Sequence, residues 1–110
     1  MPEIIYNVTV NVDRDIHTQW LQWMETKHLP EMMALGLFMD YTMLRLISQL
    51  GEEDEQSITY AVQYRLSGVE QFLQYTEQHA PTMQAKGREL FGDKVLAFRT
   101  LLEIMHTNRK

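Results

Sequence analysis

Two segments of this chain alternate apolar and polar residues with a period of two, and that periodicity narrows the possible folds more than any other feature. In the first, Ile4, Tyr6, Val8, Val10 and Val12 alternate with Glu3, Ile5, Asn7, Thr9 and Asn11. In the second, Ile58, Tyr60, Val62, Tyr64 and Leu66 alternate with Ser57, Thr59, Ala61, Gln63 and Arg65. Successive side chains of a strand point to opposite faces, so each segment predicts a strand with one buried and one polar face. A sheet built from such strands needs a second layer over its apolar side.

The remaining residues supply that layer and two more strands. Asp13 reads as a helix N-cap, with Asp15 in the first turn near the positive end of the helix dipole. Ile16, Trp20 and Met24 follow at i, i+4 and i+8, flanked by Trp23, which is a buried helical stripe. Pro30 lacks an N–H and disfavours helical geometry at Leu29. The helix is therefore expected to kink or stop near His28 and to resume in "PEMMAL", with Gly36 ending it in a left-handed conformation. A long strand is expected over Leu37–Leu50, followed by an acidic turn, "GEEDEQ", and a hairpin return through the second alternating segment. "SGVE", Ser67 to Glu70, matches a capping box. It opens a helical stripe of Val69, Phe72, Leu73, Thr76, Ala80 and Met83, bent at Pro81 and ended by Gly92. The last strand is expected from about Lys94 to His106, with Leu96, Phe98, Leu102 and Ile104 on one face and Arg99 and Glu103 on the other. The order is β-α-β-β-α-β. Two helices on one face of a four-stranded antiparallel sheet form an α+β, ferredoxin-like arrangement, expected as a single domain over residues 1–110.

Composition excludes several function classes. The net charge of −5 argues against nucleic acid, which requires clustered Lys and Arg. With no cysteine there is no disulfide, thiolate nucleophile or Cys-based zinc site, and a reducing compartment, the cytoplasm, is expected. The amino terminus reads as a strand rather than a signal peptide, and no segment has the roughly 20 apolar residues of a membrane helix. The four histidines show no tight ligand spacing, so no metal is expected. No Gly-rich phosphate loop is present and no cofactor is expected.

The second face of the sheet poses the functional question. Its expected members are Ile5, Asn7, Thr9 and Asn11; Tyr41, Met43, Arg45 and Ile47; Thr59, Ala61, Gln63 and Arg65; and Ala97, Arg99, Leu101, Glu103 and Met105. A face with an amide, hydroxyl and charged centre and an apolar surround fits packing on a copy of itself. A homodimer enclosing a polar cavity is expected, with a small molecule as a second possible partner.

The segments "IIYNVTVNVD", "WLQWMETKHLPEMMALGLFMDY", "ITYAVQY" and "FGDKVLAFRTLLE" occur in this order over nearly the full length. With them the chain resembles the domain-of-unknown-function 4286 family, among the small dimeric α+β barrels. The resemblance implies the fold and dimerisation, and no established activity. Related barrels include antibiotic-biosynthesis-type and haem-degrading monooxygenases and stress-responsive proteins. Asn7 and His79 resemble the asparagine and histidine positions of the haem-degrading barrels, although the matching tryptophan has no counterpart.

Candidate site residues follow from the face and the helix break. His28, at the break, is suited to proton transfer near neutral pH. Asn7 and Arg99 are the other catalytic candidates. Trp23, Gln63, Arg65 and Glu103 are candidates for ligand contact. Each also has a structural reading: a kink cap for His28, rim packing for Trp23, and a polar interface network for Arg99, Glu103 and their neighbours. Two functions follow. One is a binding or stress-type module without defined chemistry. The other is a cofactor-independent enzyme, of monooxygenase or isomerase type, acting on a small molecule in the barrel cavity.

Overall fold

The computed structural model describes residues 2–47 and 56–109. Strand β1 (Ile4–Asp13) leads through a short 3₁₀ turn into helix α1 (His17–Trp23). A π-helical turn (Met24–His28) continues directly into α2 (Leu29–Ala34). Strands β2 (Asp40–Arg45) and β3 (Ser57–Leu66) follow, then helices α3 (Val69–Gln78) and α4 (Ala80–Phe91), and finally β4 (Val95–Glu103). The sheet order is β2-β3-β1-β4, antiparallel throughout, so the fold is ferredoxin-like α+β. Among the described residues no helix is long and apolar enough to cross a membrane.

The two alternating segments are the central pair, joined from Ile4↔Leu66 to Asp13↔Ser57. Burial in β3 alternates without exception, and its buried side chains meet those of β1 beneath the helices. Trp20 anchors the first helical arm. It is 2% exposed and lies 5.0 Å, ring to ring, from Tyr60. Tyr6, Phe38, Tyr64, Phe72 and Tyr75 form an aromatic cluster with centroids 5.0–5.9 Å apart. Such pairs add to the stabilisation from area burial alone.

Several local expectations are corrected. Pro30 does not stop the first helix. The backbone widens to i→i+5 pairing, with the Leu29 N–H donating to the Met24 carbonyl. The Thr26 hydroxyl donates to the Gln22 carbonyl at 2.7 Å where the ladder changes register. Asp13, the last residue of β1, does stand at the N-cap of the 3₁₀ turn with Asp15 in its first turn, but its side chain makes no cap bond, and Asp15 pairs with Lys94 at 2.8 Å. The capping box does not form, because Gly68 rather than Ser67 is the N-cap. The second helix breaks at His79, and Pro81 sits in the first turn of α4, where its missing N–H costs nothing. In the first half of the expected stripe, Val69 and Leu73 are exposed and Tyr75 is buried. Strand β2 is shorter than expected, and the "GEEDEQ" turn lies, except for Gln56, outside the described residues.

The two outer strands are turned over relative to expectation. The pairs Val12↔Val95, Val10↔Ala97, Val8↔Arg99 and Tyr6↔Leu101 put Val95, Ala97, Arg99 and Leu101 on the helix side, with Glu103 opposite Ile4. Leu96, Phe98 and Leu102 lie on the open face, 55%, 69% and 46% exposed. In β2, Tyr41, Met43 and Arg45 share the helix side with Tyr64, Val62 and Tyr60, so Asp40, Thr42 and Leu44 face outward. "VLAFRTLLE" is apolar on both parities, so pairing with β1 decides its faces, and a shift of one residue inverts them all.

Gly36 has φ +78 and follows α2, and its N–H bonds to the Met33 carbonyl at 3.2 Å. An added Cβ would meet nothing within 4 Å, so the penalty for a side chain is backbone strain alone. Gly36→Ala should lose about 1–2 kcal/mol of stability, read as a lower midpoint in chemical denaturation. An unchanged midpoint would contradict this conformation.

Candidate functional site

The helices do not seal the sheet over β1 and β4. A cavity of about 250 Å³ lies there, bounded by both helical arms. The first arm contributes Trp20, Trp23, Met24, His28 and Met32, and the second contributes Tyr75, Met83, Gln84, Gly87, Arg88 and Phe91. The floor includes Tyr6, Val8 and Val10 of β1 and Val95, Ala97 and Arg99 of β4. The α4 contribution follows helical geometry: Met83, Gly87 and Phe91 stand at i, i+4 and i+8, with Gln84 and Arg88 beside them.

Two groups of side chains give the cavity its chemistry. In the first, the Tyr6 phenol stands among Arg99, Tyr75 and Gln84, whose polar groups favour its ionised form against burial. Burial raises the pKa of Tyr6 and of Tyr75, so both hydroxyls stay protonated and able to donate. In the second, the His28 ring stacks on Trp23 with centroids 4.6 Å apart, and Phe91 meets Trp23 edge-on at 5.5 Å. Burial lowers the His28 pKa from 6.5 to about 4, with Lys86 and Arg99 adding to the effect and Glu31 opposing it. His28 Nδ1 is buried and, among the described residues, has no hydrogen-bond partner. The imidazole is thus neutral at pH 7.

Of the residues singled out from sequence, His28, Trp23 and Arg99 meet in this cavity. The other four do not. Asn7 and Gln63 lie on the open sheet face, where Gln63 Nε2 donates to Asn7 Oδ1 at 3.2 Å. Asn7 Nδ2 donates to Thr9 Oγ1 at 3.1 Å and to Thr100 Oγ1 at 3.3 Å. Arg65 is held by Asp40 at 2.6 Å and by Glu3 at 3.0 Å. That pairing holds the Asp40 carboxyl below its ordinary pKa. Glu103 is exposed at the end of β4, outside the cavity lining. Asn7 and His79 are likewise not brought together at the cavity.

Tyr6, Tyr75, Gln84 and Arg88 were not singled out from sequence. Tyr6 reads as core, which it is; its hydroxyl alone reaches the cavity chemistry. Tyr75 sits outside the expected stripe because the break at His79 changes the helical phase. The i, i+4, i+8 spacing of Met83, Gly87 and Phe91 was the available signal for Gln84 and Arg88.

Trp20→Ala should cost about 3–5 kcal/mol, as for a fully buried aromatic ring. Trp23→Ala should cost less, because that ring is only partly buried whereas Trp20 is fully so; equal losses in denaturation would contradict the difference. His28 should also make stability depend on pH. Below 6.5 the unfolded chain takes up a proton that the folded chain refuses until about pH 4. Stability from His28 is therefore complete above 6.5, falls between 6.5 and about 4, and is level below. NMR of the ring should show a midpoint near 4, and His28→Asn should remove this part of the acid slope. A midpoint near 6.5 would mean a solvated ring.

Solved structures of similar fold cover nearly the whole chain. An ethyl tert-butyl ether D (EthD) family protein from Bacillus halodurans matches at 11% identity and TM-score 0.71, over 93% of this chain and 99% of its own. The cofactor-independent oxygenase SnoaB from Streptomyces nogalater matches at 11% identity and TM-score 0.68, over 100% of both chains. A dimeric ferredoxin-like protein from an uncultured marine organism matches at 12% identity and TM-score 0.62, over 97% and 99%. At such identities the likeness is one of fold. No curated relative matches the chain. Residues 3–105 match the family described as Domain of unknown function (DUF4286), and the chain belongs to that family.

Proposed function

We propose that this chain is a single-domain, small-molecule-binding barrel protein whose ligand occupies the cavity between helices and sheet, and that it works as a homodimer closed through the open sheet face. One observation carries the binding reading. Tyr6, Tyr75, Gln84, Arg99 and His28 converge on a space of about 250 Å³ that is otherwise walled by aromatic and aliphatic side chains. A few converging polar groups in an apolar hollow is the usual make-up of a ligand site, though this one lies just below the common range of roughly 300–1,000 Å³. The lack of cysteine supports a cytoplasmic setting.

The dimer reading rests on the open face. Phe98, Leu96, Leu102 and Leu44 are each more than 40% exposed around the Asn7–Gln63 amide pair. Large apolar side chains clustered in this way mark an interface. The dimeric marine protein of the same fold supports it. Asn7, Gln63 and Arg65 then serve as interface polar groups rather than ligand contacts.

A second reading, a cofactor-independent enzyme, is favoured by His28. A neutral, half-buried imidazole beside the cavity can take a proton from a bound substrate, and Arg99 with Tyr6 can stabilise the anion formed. SnoaB, a cofactor-independent oxygenase, uses the same fold.

Binding is tested by NMR of methyl-labelled methionines. Indole and 2-naphthol, as neutral aromatic fragments, should shift Met24, Met32 and Met83, which line the cavity, and leave Met39 and Met105 in place. No shift at millimolar fragment, or shifts at the outer methionines alone, would overturn the binding reading. For the dimer, sedimentation at micromolar concentration should give twice the chain mass, and Phe98→Glu should give monomer. A monomeric wild type would refute the dimer.

A further inference from the structure

The charge of the cavity wall departs sharply from that of the chain. Acidic residues outnumber basic ones, 15 to 10, yet among the described residues no Asp or Glu lines the cavity, whereas Arg88 and Arg99 both do. Four cations outside the cavity are paired: Arg65 with Asp40 and Glu3, Lys86 with Glu31, Lys94 with Asp15, and Arg109 with Glu3. Among the described residues neither Arg88 nor Arg99 has a carboxylate partner. Arg99 lies instead near the Tyr6 phenol, on the cavity floor. A guanidinium in a partly apolar wall, with phenol donors beside it and no anion of its own, is arranged to receive an anion from a ligand.

We infer that the cavity takes an aromatic carboxylate, with the acid group bound by Arg99 together with Tyr6 and Tyr75 and the ring lodged among the aromatic walls. This rests on the ligand-binding reading and adds the charge class to it. Tyr6 and Tyr75 are buried phenols that stay protonated, so an O–H of this pair can donate to a carboxylate oxygen. His28 is neutral at pH 7 and leaves the arginines as the source of positive charge. A neutral ligand would leave the guanidinium at the cavity wall without an opposite charge, so an anion of the same shape gains a charge-assisted hydrogen bond that the neutral ligand lacks.

The test compares 2-naphthoate with 2-naphthamide, nearly isosteric probes that differ in charge, by titration of the cavity methionine methyl signals. Naphthoate should bind at least about tenfold more tightly, a gap that charge-assisted hydrogen bonds readily supply. Arg99→Gln should reduce the ratio to near one with little change in naphthamide affinity, and 0.5 M salt should weaken naphthoate alone. Tyr75→Phe, which keeps the ring, should lower the ratio partway. Equal affinities in the wild type would overturn the inference while leaving the cavity as a ligand site. A ratio unchanged in Arg99→Gln would overturn the role of Arg99. If neither probe shifts these methyls, both the inference and the binding reading fail.

Discussion

The β1–β3 ladder is the constraint on which everything else in this molecule depends. Ten-residue strands run antiparallel from Ile4↔Leu66 to Asp13↔Ser57, with every second side chain of β3 buried. Burying one large apolar side chain stabilises by roughly 1.5–3 kcal/mol. A slip of one residue would expose Tyr60, Val62, Tyr64 and their neighbours at once, so this register has no competitor. The edge strands then have fixed partners. Arg99 faces the helices because Val8 does, and Phe98 faces outward because Thr9 does.

The cavity exists because both helical arms are interrupted. An uninterrupted helix lays one continuous stripe on a sheet. Here the first arm widens into a π turn before Pro30, and His28 is the last residue of that turn. Such turns are frequent at functional sites because they change the direction in which a side chain leaves the helix. The second arm breaks at His79, so α3 presents Phe72 and Tyr75 while α4 presents Met83, Gly87 and Phe91 on a different axis. The aromatic cluster fills the space under α3, and the gap stays over β4, which makes few contacts with any helix.

Polar groups are divided between the two sheet faces. The open face carries a row of amides and hydroxyls that satisfy one another, from Gln63 through Asn7 to Thr100, and from Asn11 to Ser57 and Thr59. Such a row needs no ligand. On the helix side Tyr6, Tyr75, Gln84, Arg99 and His28 stand around the cavity. Among the described residues His28 Nδ1 and the Tyr60 hydroxyl are both buried without a protein partner, which is costly to stability.

The strict alternation in β1 and β3 determined the topology, the core face of the central strands and the helix-side cover, because only one register buries it. The positive-φ glycine after α2 was also legible, since the residue that ends a helix in the left-handed region is nearly always one without a Cβ. Trp20 could be read as an anchor from its spacing. The outer strands could not be read, because "VLAFRTLLE" is apolar in both phases and its faces depend on a partner far away in sequence. The site suffered the same way. His28, Trp23 and Arg99 were marked for reasons of local chemistry, but the amides of Asn7 and Gln63 were joined to them only by assigning β4 the wrong parity. Tertiary pairing put Arg99 beside Tyr6 and Tyr75, residues that local periodicity treats as core or passes over. Their hydroxyls became part of a site only when the sheet, the π turn and the broken second arm enclosed the same space.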